Sequence, residues 1–144
     1  MQSTFLAWMF RMPLIKRWAL MFCVKPENVA EHSHQVAIVA HLLAVIKNKK
    51  FAGNVNVDKV ATVALYHEAS ETRFGDIVSP TKYANPEIAR EFKKIEYLAE
   101  RQCLESLPEE FQDTFADIIV QDNVEPHYKE IVKAADNLVA YIKA

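Results

Sequence analysis

Proline and asparagine residues mark the starts of several helices in this sequence. The stretch NPEIAR places Asn85 at an N-cap, Pro86 at the first helical position and Glu87 in the first turn, where the helix dipole favours an acidic side chain. The stretches LPEEFQDTF and EPHYKEIVKAADNLVAYIK repeat this arrangement with Pro108 and Pro126. Because the chain has only two glycines in 144 residues, it offers few positions for hairpin turns. These features predict an all-α fold.

The spacing of apolar residues predicts about six helices in a compact bundle. We expect helices at roughly 2–11, 30–48 and 57–72, one from Pro86 to about Leu107, and two more that start at Pro108 and Pro126. The apolar N-terminal segment is interrupted by basic residues and does not reach the length of a membrane span. It is therefore interpreted as an amphipathic first helix, and no membrane partner is expected.

Length, charge and cysteine content restrict the class of protein. A chain of 144 residues that is 51% hydrophobic can bury one substantial core, so residues 1–144 are interpreted as a single domain. A net charge of −2 provides no overall basic field for a nucleic-acid polymer. Cys23 and Cys103 fit no metal-binding or redox spacing and are interpreted as packed, reduced thiols. This use of cysteine favours a cytoplasmic protein.

Three of the predicted helices place ionisable side chains in line with apolar residues. His32 belongs to the second helix, His67 and Glu71 to the third, and Asp136 to the last. Each continues an apolar row at spacings of three or four, so we expect all of them to point inward. Since an isolated buried carboxylate costs several kcal/mol, such groups should be paired, hydrogen-bonded or bound to a metal.

A divalent metal ion explains this combination of residue types. Two neutral imidazoles, of His32 and His67, and two carboxylates, of Glu68 and Asp136, would balance its charge and leave coordination positions open. Such mixed ligands suit Mn, Co, Ni, Fe, Zn or Mg, and the sequence does not choose among them. A lone buried histidine is more often a hydrogen-bonded core residue, but the joint pattern favours metal ligation.

The order of these residues resembles that of the HD-domain phosphohydrolases. The resemblance is closest to the bacterial 5'-deoxynucleotidases, which remove phosphate from deoxyribonucleoside monophosphates. It extends over nearly the whole chain and implies an HD-domain-like helical fold. The matching segments are RWALM (17–21), ENVAEHSHQVA (27–37), NKKFAGNVN (48–56), YHEASETRFGD (66–76), PTKY (80–83) and KAADNLVAYIK (133–143).

The resemblance implies that His32, His67 and Asp136 are metal ligands, with Glu68 in the place of the family's aspartate. Glutamate has one more methylene, which moves its carboxylate by about 1.5 Å, whereas ligand distances tolerate only about 0.2 Å. The side chain must therefore fold back, bind in another mode or shift the metal. One alternative is a noncatalytic nucleotide-binding or interaction module with a degenerate metal site. Another is a helical assembly protein whose ionisable groups satisfy one another.

The resemblance also implies catalytic and substrate-binding residues. Glu71 matches a glutamate next to the metal site and Asp76 a second acid close to the substrate, so both are candidates for proton transfer. Arg17 and Lys82 are expected to hold the phosphate. Trp18 is expected to press on the sugar and to exclude a ribose 2'-hydroxyl. The implied activity is metal-dependent release of phosphate from nucleoside 5'-monophosphates.

Two further expectations concern assembly and extent. Relatives commonly dimerise, so a homodimer is expected. Members of the family continue through further helical sequence, whereas this sequence has eight residues after Asp136. We therefore expect it to lack C-terminal helices that are present in relatives.

Overall fold

Within residues 2–144, five helices of ten or more residues form the frame of the protein, and three helices of four or five residues precede or connect them. The structure is a computed structural model that describes residues 2–144. The helices are α1 (Phe5–Met9), α2 (Val29–Lys50), α3 (Val57–Tyr66), α4 (Glu71–Phe74), α5 (Ser79–Lys82), α6 (Pro86–Glu105), α7 (Glu109–Ile119) and α8 (Pro126–Lys143). Two 3₁₀ turns, Met12–Leu14 and Gln121–Asn123, follow α1 and α7. Within residues 2–144 there is no β-strand, so the predicted all-α fold is confirmed.

Helix α2 is the central element and packs against both α3 and α8. Its buried face contains the small residues Ala37, Ala40 and Ala44, which allow neighbouring helices to approach closely. By length and composition α2 would also be apolar enough to cross a membrane. Its buried face forms part of the core, whereas Ile38 and Leu42 of the same helix are exposed.

The buried apolar residues form two clusters, and α2 contributes to both. Val36 belongs to the cluster between α2, α3 and α8, whereas Val29 belongs to a second cluster with residues of α1, α6 and α7. His32 lies between these two valines in the sequence and is fully buried. The first turns of α2 therefore place an imidazole where the two clusters meet.

Side chains and prolines set the helix starts largely as predicted. The Asn85 Oδ1 atom accepts a hydrogen bond from the backbone N–H of Ile88 at 2.9 Å, so Asn85 is the N-cap of α6. Pro86 and Pro126 occupy the first helical positions of α6 and α8. Pro108 is instead an N-cap residue, and α7 begins one residue after it.

The prediction of one continuous helix over 57–72 is wrong. Helix α3 ends at Tyr66, and the chain passes through a turn before α4 begins at Glu71. Backbone hydrogen bonds in this turn join residues three apart, as in a 3₁₀ helix. The Ala69 N–H, for example, donates to the Tyr66 carbonyl at 3.0 Å. The Ala69 carbonyl accepts from the hydroxyl of Thr72 and the thiol of Cys103. Because Cys103 lies on α6, its hydrogen bond to Ala69 is a tertiary contact that stabilises the turn between α3 and α4.

Two expectations about the N-terminal region also need correction. The helix predicted over 2–11 extends only from Phe5 to Met9. It ends there because Pro13, which lies in the following 3₁₀ turn, has no N–H to donate to the next carbonyl of an α-helix. Cys103 is buried as expected, but Cys23 is exposed and so is not a packed thiol. Cys23 lies in the segment 19–25, whose side chains are all exposed.

Candidate functional site

Four ionisable residues from three regions of the chain meet at one point. His32 lies near the start of α2, His67 is the C-cap residue of α3, Glu68 follows it, and Asp136 lies in α8. One ligand atom from each residue can be chosen so that all four atoms lie within 4.8 Å of one another. The structure therefore brings together every residue that the sequence proposed as a metal ligand.

His32 and Asp136 form the closest contact of this group. The Nε2 atom of the fully buried His32 lies 2.9 Å from Oδ1 of Asp136, within hydrogen-bonding distance. Two ligand atoms that each lie about 2.1 Å from a cation, at a right angle, would be about 3 Å apart. The observed separation thus suits two ligands of a shared metal ion.

His67 is held in an orientation that suits metal binding. Its Nδ1 atom donates to the backbone carbonyl of Ala64 at 2.5 Å, which leaves Nε2 as the unprotonated nitrogen of the neutral ring. This Nε2 atom is buried and lies 3.2 Å from Oε1 of Glu68 without the alignment of a hydrogen bond. A buried nitrogen lone pair that faces carboxylates is favourable when a cation binds between them.

The longer side chain of Glu68 does not remove its carboxylate from the group. Glu68 contributes one of the four atoms that lie within 4.8 Å of one another, and its side chain is mostly buried. The additional methylene of glutamate therefore leaves the carboxylate close to His32, His67 and Asp136.

Both carboxylates of the group favour their ionised forms. Burial alone would raise the pKa of Glu68, but the adjacent His67 outweighs this effect and lowers it. Burial likewise opposes ionisation of Asp136, but the hydrogen bond from His32 lowers its pKa. The pKa of His67 is raised because Glu68 outweighs the effect of burial. The carboxylates of Glu68 and Asp136 thus favour the ionised forms that can bind a cation.

Glu71 and Asp76 lie beside this group, and their pKa values shift in the opposite direction to those of Glu68 and Asp136. Burial, followed by the charge of Glu68, raises the pKa of Glu71 far above its ordinary range. The Oε2 atom of Glu71 is buried and has no hydrogen-bond partner among the described residues. Burial also raises the pKa of Asp76, an effect that Arg17 partly offsets. These acids are suited to hold or transfer a proton.

Two adjoining cavities open onto the group. One, of about 390 Å³, is lined by His67, Glu68, Glu71 and Lys82 among others. The other, of about 420 Å³, is lined by Arg17, Trp18, Asp76, Asn137 and several loop residues. Both cavities are also lined by Lys133 and Asp136. All predicted catalytic and substrate-binding residues therefore surround one cleft.

Arg17 and Trp18 are connected to each other through a buried acid. The Oε2 atom of Glu27 accepts a hydrogen bond from Nε of Arg17 at 3.2 Å and one from Nε1 of Trp18 at 2.7 Å. Glu27 itself is only 3% exposed. Sequence reasoning did not single out Glu27, although it opens the matching segment ENVAEHSHQVA.

Lys82 and Lys133 occupy the cleft in different ways. Lys82 pairs with Glu96 of α6, and this hydrogen bond outweighs burial and raises the pKa of Lys82. The Nζ atom of Lys133 lies 3.3 Å from Oδ2 of Asp136. Lys133 was not predicted as a site residue. It lies one helical turn before Asp136 and opens the matching segment KAADNLVAYIK, and these two sequence signals could have indicated it.

Comparison of sequences identifies a family and close relatives. Residues 4–144 match the family of YfbR-like 5'-deoxynucleotidases. A 5'-deoxynucleotidase of Vibrio vulnificus (strain YJ016) is 52% identical over 142 residues, which cover 99% of this chain and 73% of that protein. The 5'-deoxynucleotidase YfbR of Escherichia coli O127:H6 is 51% identical over 142 residues and is covered to 71%.

Comparison of folds finds HD-domain phosphohydrolases. A crystal structure of one from Listeria innocua has a TM-score of 0.81 at 23% identity, and the match covers 94% of this chain and 64% of that one. The HD phosphohydrolase of cyanophage S-2L, solved with dA and one catalytic Zn²⁺, has a TM-score of 0.67 at 23% identity. That match covers 97% of this chain and 70% of the cyanophage chain. Both likenesses concern the fold.

Proposed function

This chain belongs to the YfbR-like 5'-deoxynucleotidase family, and from that premise we propose how its residues carry out the reaction. It is a metal-dependent phosphohydrolase that acts on nucleoside monophosphates, as the resemblance implied. The observation that supports the reaction centre is the convergence of His32, His67, Glu68 and Asp136 within 4.8 Å. We assign these four residues as the ligands of the metal ion.

Two imidazole nitrogens and two carboxylate oxygens favour a transition metal. Mg²⁺ prefers oxygen ligands and retains several waters, whereas Mn, Fe, Co, Ni and Zn accept mixed nitrogen and oxygen ligands. The cyanophage relative contains catalytic Zn²⁺, which supports the same class of metal here. When bound, the cation supplies Lewis-acid chemistry, since it lowers the pKa of water and stabilises charge on phosphoryl oxygens.

Arg17 is proposed to bind the phosphate of the substrate. Its Nε atom is engaged by Glu27, while among the described residues no side chain accepts from its two terminal nitrogens. A guanidinium with both terminal nitrogens available can bind two phosphate oxygens at once. Lys82 lines the neighbouring cavity and is proposed to add positive charge there, although it shares its ammonium with Glu96.

Trp18 is proposed to contact the sugar and to select deoxyribose. It lines the same cavity as Arg17 and Asp76, and its indole is anchored through Nε1. A fixed aromatic ring that fits against the 2' carbon would collide with a 2'-hydroxyl. Selection by collision requires a rigid wall, because a mobile ring would simply move aside.

Glu71 and Asp76 are proposed to handle the protons of the reaction. Hydrolysis must remove a proton from the attacking water and supply one to the departing 5' oxygen. The Oε2 atom of Glu71 is buried and has no hydrogen-bond partner within residues 2–144, and Glu71 lies beside both Glu68 and Asp76. We place Glu71 next to the water and Asp76, which lines the cavity with Arg17, on the substrate side.

A homodimer and a cytoplasmic location are retained as proposals. Helix α6 exposes the apolar residues Ile95 and Leu98 at 45% and 60%. These side chains suit a subunit contact better than they suit water. Light scattering of the purified protein would measure the oligomeric state, and fractionation of cells would measure the location.

The test of the proposed function is phosphate release from a panel of nucleotides after loading with Mn, Co or Zn. We expect turnover of deoxyribonucleoside 5'-monophosphates, and its loss in Asp136→Ala and Glu71→Ala. His34→Ala is the matched control, because His34 lies on α2 near His32 but is exposed. Turnover unchanged in both site variants would reject the assignment. Preference for nucleotides with more phosphates or a cyclic bond would indicate a different phosphohydrolase.

A further inference from the structure

We infer that Glu27 is a positioning residue that sets the discrimination between deoxyribose and ribose by fixing Arg17 and Trp18 in one arrangement. The inference rests on the proposed function, in which Arg17 binds phosphate and Trp18 contacts the sugar. Glu27 itself does not line either cavity of the cleft, so its effect must pass through these two neighbours.

One oxygen atom of Glu27 serves both side chains. Oε2 accepts from Nε of Arg17 at 3.2 Å and from Nε1 of Trp18 at 2.7 Å. The acid is 3% exposed, so water competes little for these hydrogen bonds. A shared acceptor couples the two donors, because neither can rotate away without leaving a buried charge less well satisfied.

Backbone contacts join the same two segments. The N–H of Arg17 donates to the carbonyl of Glu27 at 2.9 Å, and the N–H of Val29 donates to the carbonyl of Ile15 at 2.9 Å. Between these two hydrogen bonds, the backbones of Lys16 and Asn28 pair as a single antiparallel β-bridge. Helix α2 begins at Val29 and contains His32. The backbone contacts therefore fix the segment that carries Arg17 and Trp18 to the start of this helix.

The backbone of Trp18 is in an uncommon conformation. Its φ angle is +64°, in the left-handed region that bulky residues rarely adopt. Such a conformation is maintained only when surrounding contacts hold it. The Trp18 carbonyl accepts from the Met21 N–H at 3.0 Å, and the indole is held by Glu27. The bond to Glu27 therefore keeps the ring at the place that this backbone turn provides.

The arrangement has a direct consequence for specificity. Because Glu27 takes Nε of Arg17, the two terminal nitrogens remain available for phosphate. Because it also takes Nε1 of Trp18, the ring cannot turn away when a ribose enters. Loss of this shared acceptor should therefore weaken phosphate binding and, in addition, admit the 2'-hydroxyl.

The test compares kcat/KM for deoxyadenosine and adenosine 5'-monophosphates in the full chain loaded with metal. Glu27→Met keeps the length of the side chain but removes both acceptors, and we expect it to lower the deoxyribose-to-ribose ratio about tenfold and to raise KM. Glu27→Gln keeps an acceptor oxygen, so its ratio should stay within about threefold of the original protein.

Asn85→Ala is the control for a loss of stability alone. It removes the N-cap of α6, far from these contacts in the sequence, and should lower Tm without changing the ratio. A ratio in Glu27→Met equal to that of the original protein, whatever its Tm, would overturn the inference. If Glu27→Met does not fold, the same ratio is measured for Glu27→Leu and Glu27→Ala, which also remove the acceptor, and an unchanged ratio in whichever of these folds overturns the inference equally.

Trp18→Ala separates this inference from the proposed function. If that variant keeps the original ratio, Trp18 does not select the sugar and the proposed function fails in this respect. If it lowers the ratio while Glu27→Met does not, only the role of Glu27 is rejected. In the Trp18→Ala background, Glu27→Met should lower the ratio no further, since its effect passes through the ring.

Discussion

The Nε2 atom of His32 lies 2.9 Å from the Oδ1 atom of Asp136, although 104 residues separate them in the chain. His32 is fully buried and Asp136 faces the cleft, so the contact connects the core of α2 to the reactive surface of α8. A buried imidazole is thereby oriented by an acid that also lies next to the substrate cavities.

Removal of either residue should abolish tight metal binding. We expect His32→Ala and Asp136→Ala to lower metal affinity more than about 100-fold, because each loses a proposed direct ligand where loss of an outer partner already costs 10-fold to 100-fold. Metal content after dialysis, measured by mass spectrometry, checks this, with His34→Ala as control. Full metal content in both variants would contradict the assignment.

Substitution of Glu68 should change which metals bind. Glu68→Gln keeps the length but loses the charge, so its affinity for every divalent metal should fall. Glu68→Asp keeps the charge but withdraws the carboxylate by about 1.5 Å, so we expect it to bind metal with a different order of preference. Titrations with Mn, Co and Zn measure both effects. Affinities unchanged in Glu68→Gln would show that Glu68 is not a ligand.

Substitution of Glu71 should separate catalysis from metal binding. Glu71→Gln should retain the metal but release phosphate about 10²-fold to 10⁴-fold more slowly, because proton transfer is lost while the four ligands remain. Parallel measurement of metal content and kcat tests this. Glu31→Gln, an exposed acid on α2, is the control. A normal kcat in Glu71→Gln would exclude its role in proton transfer.

Arg17 should act mainly on substrate binding. Arg17→Ala should raise KM by about 10-fold to 100-fold, because it removes charge-assisted hydrogen bonds worth about 1.5–3 kcal/mol. Lys16→Ala removes the neighbouring, exposed cation and should leave KM nearly unchanged. Initial rates over a range of substrate concentrations distinguish the two variants. An equal rise in both would point to general electrostatic attraction.

Glu100 should make stability depend on pH. Burial raises its pKa to about 7, against 4.5 for an ordinary glutamate, although its Oε2 accepts from the Gln121 N–H. Between pH 4.5 and about pH 7, Glu100 therefore keeps its proton in the folded state, whereas the same side chain has lost it in the unfolded chain. This contribution to stability is complete below pH 4.5 and is lost as the pH rises towards 7.

Glu100→Gln should remove this dependence. Relative to the original protein, the variant should gain stability on the order of 1–3 kcal/mol between pH 5 and pH 8. Denaturant unfolding at several pH values measures the difference. Glu91→Gln, an exposed acid on the same helix, should show no such gain. If the free energy of unfolding changes with pH in the same way for Glu100→Gln and the original protein, the prediction is contradicted.

Local signals were sufficient for the fold class and for most helix starts. Asn85 caps α6 through its own side chain, and Pro86 occupies the first helical position, because capping acts within three or four residues. The helix predicted over 57–72 failed for the opposite reason. Its interruption at Tyr66 is supported by Cys103, which lies 34 residues after Ala69 in sequence and contacts its carbonyl.

The sequence by itself determined the all-α class and the family and proposed the residues of the metal site, because helix signals, residue chemistry and segment matches are all read along the chain. Only the tertiary structure decided that the Glu68 carboxylate lies near His32, His67 and Asp136 and that Glu27 holds Arg17 and Trp18 together. The physical reason is the distance along the chain over which each effect acts. Propensity and periodicity act over a few residues, whereas the meeting of side chains depends on how whole helices pack and on how one loop returns to another.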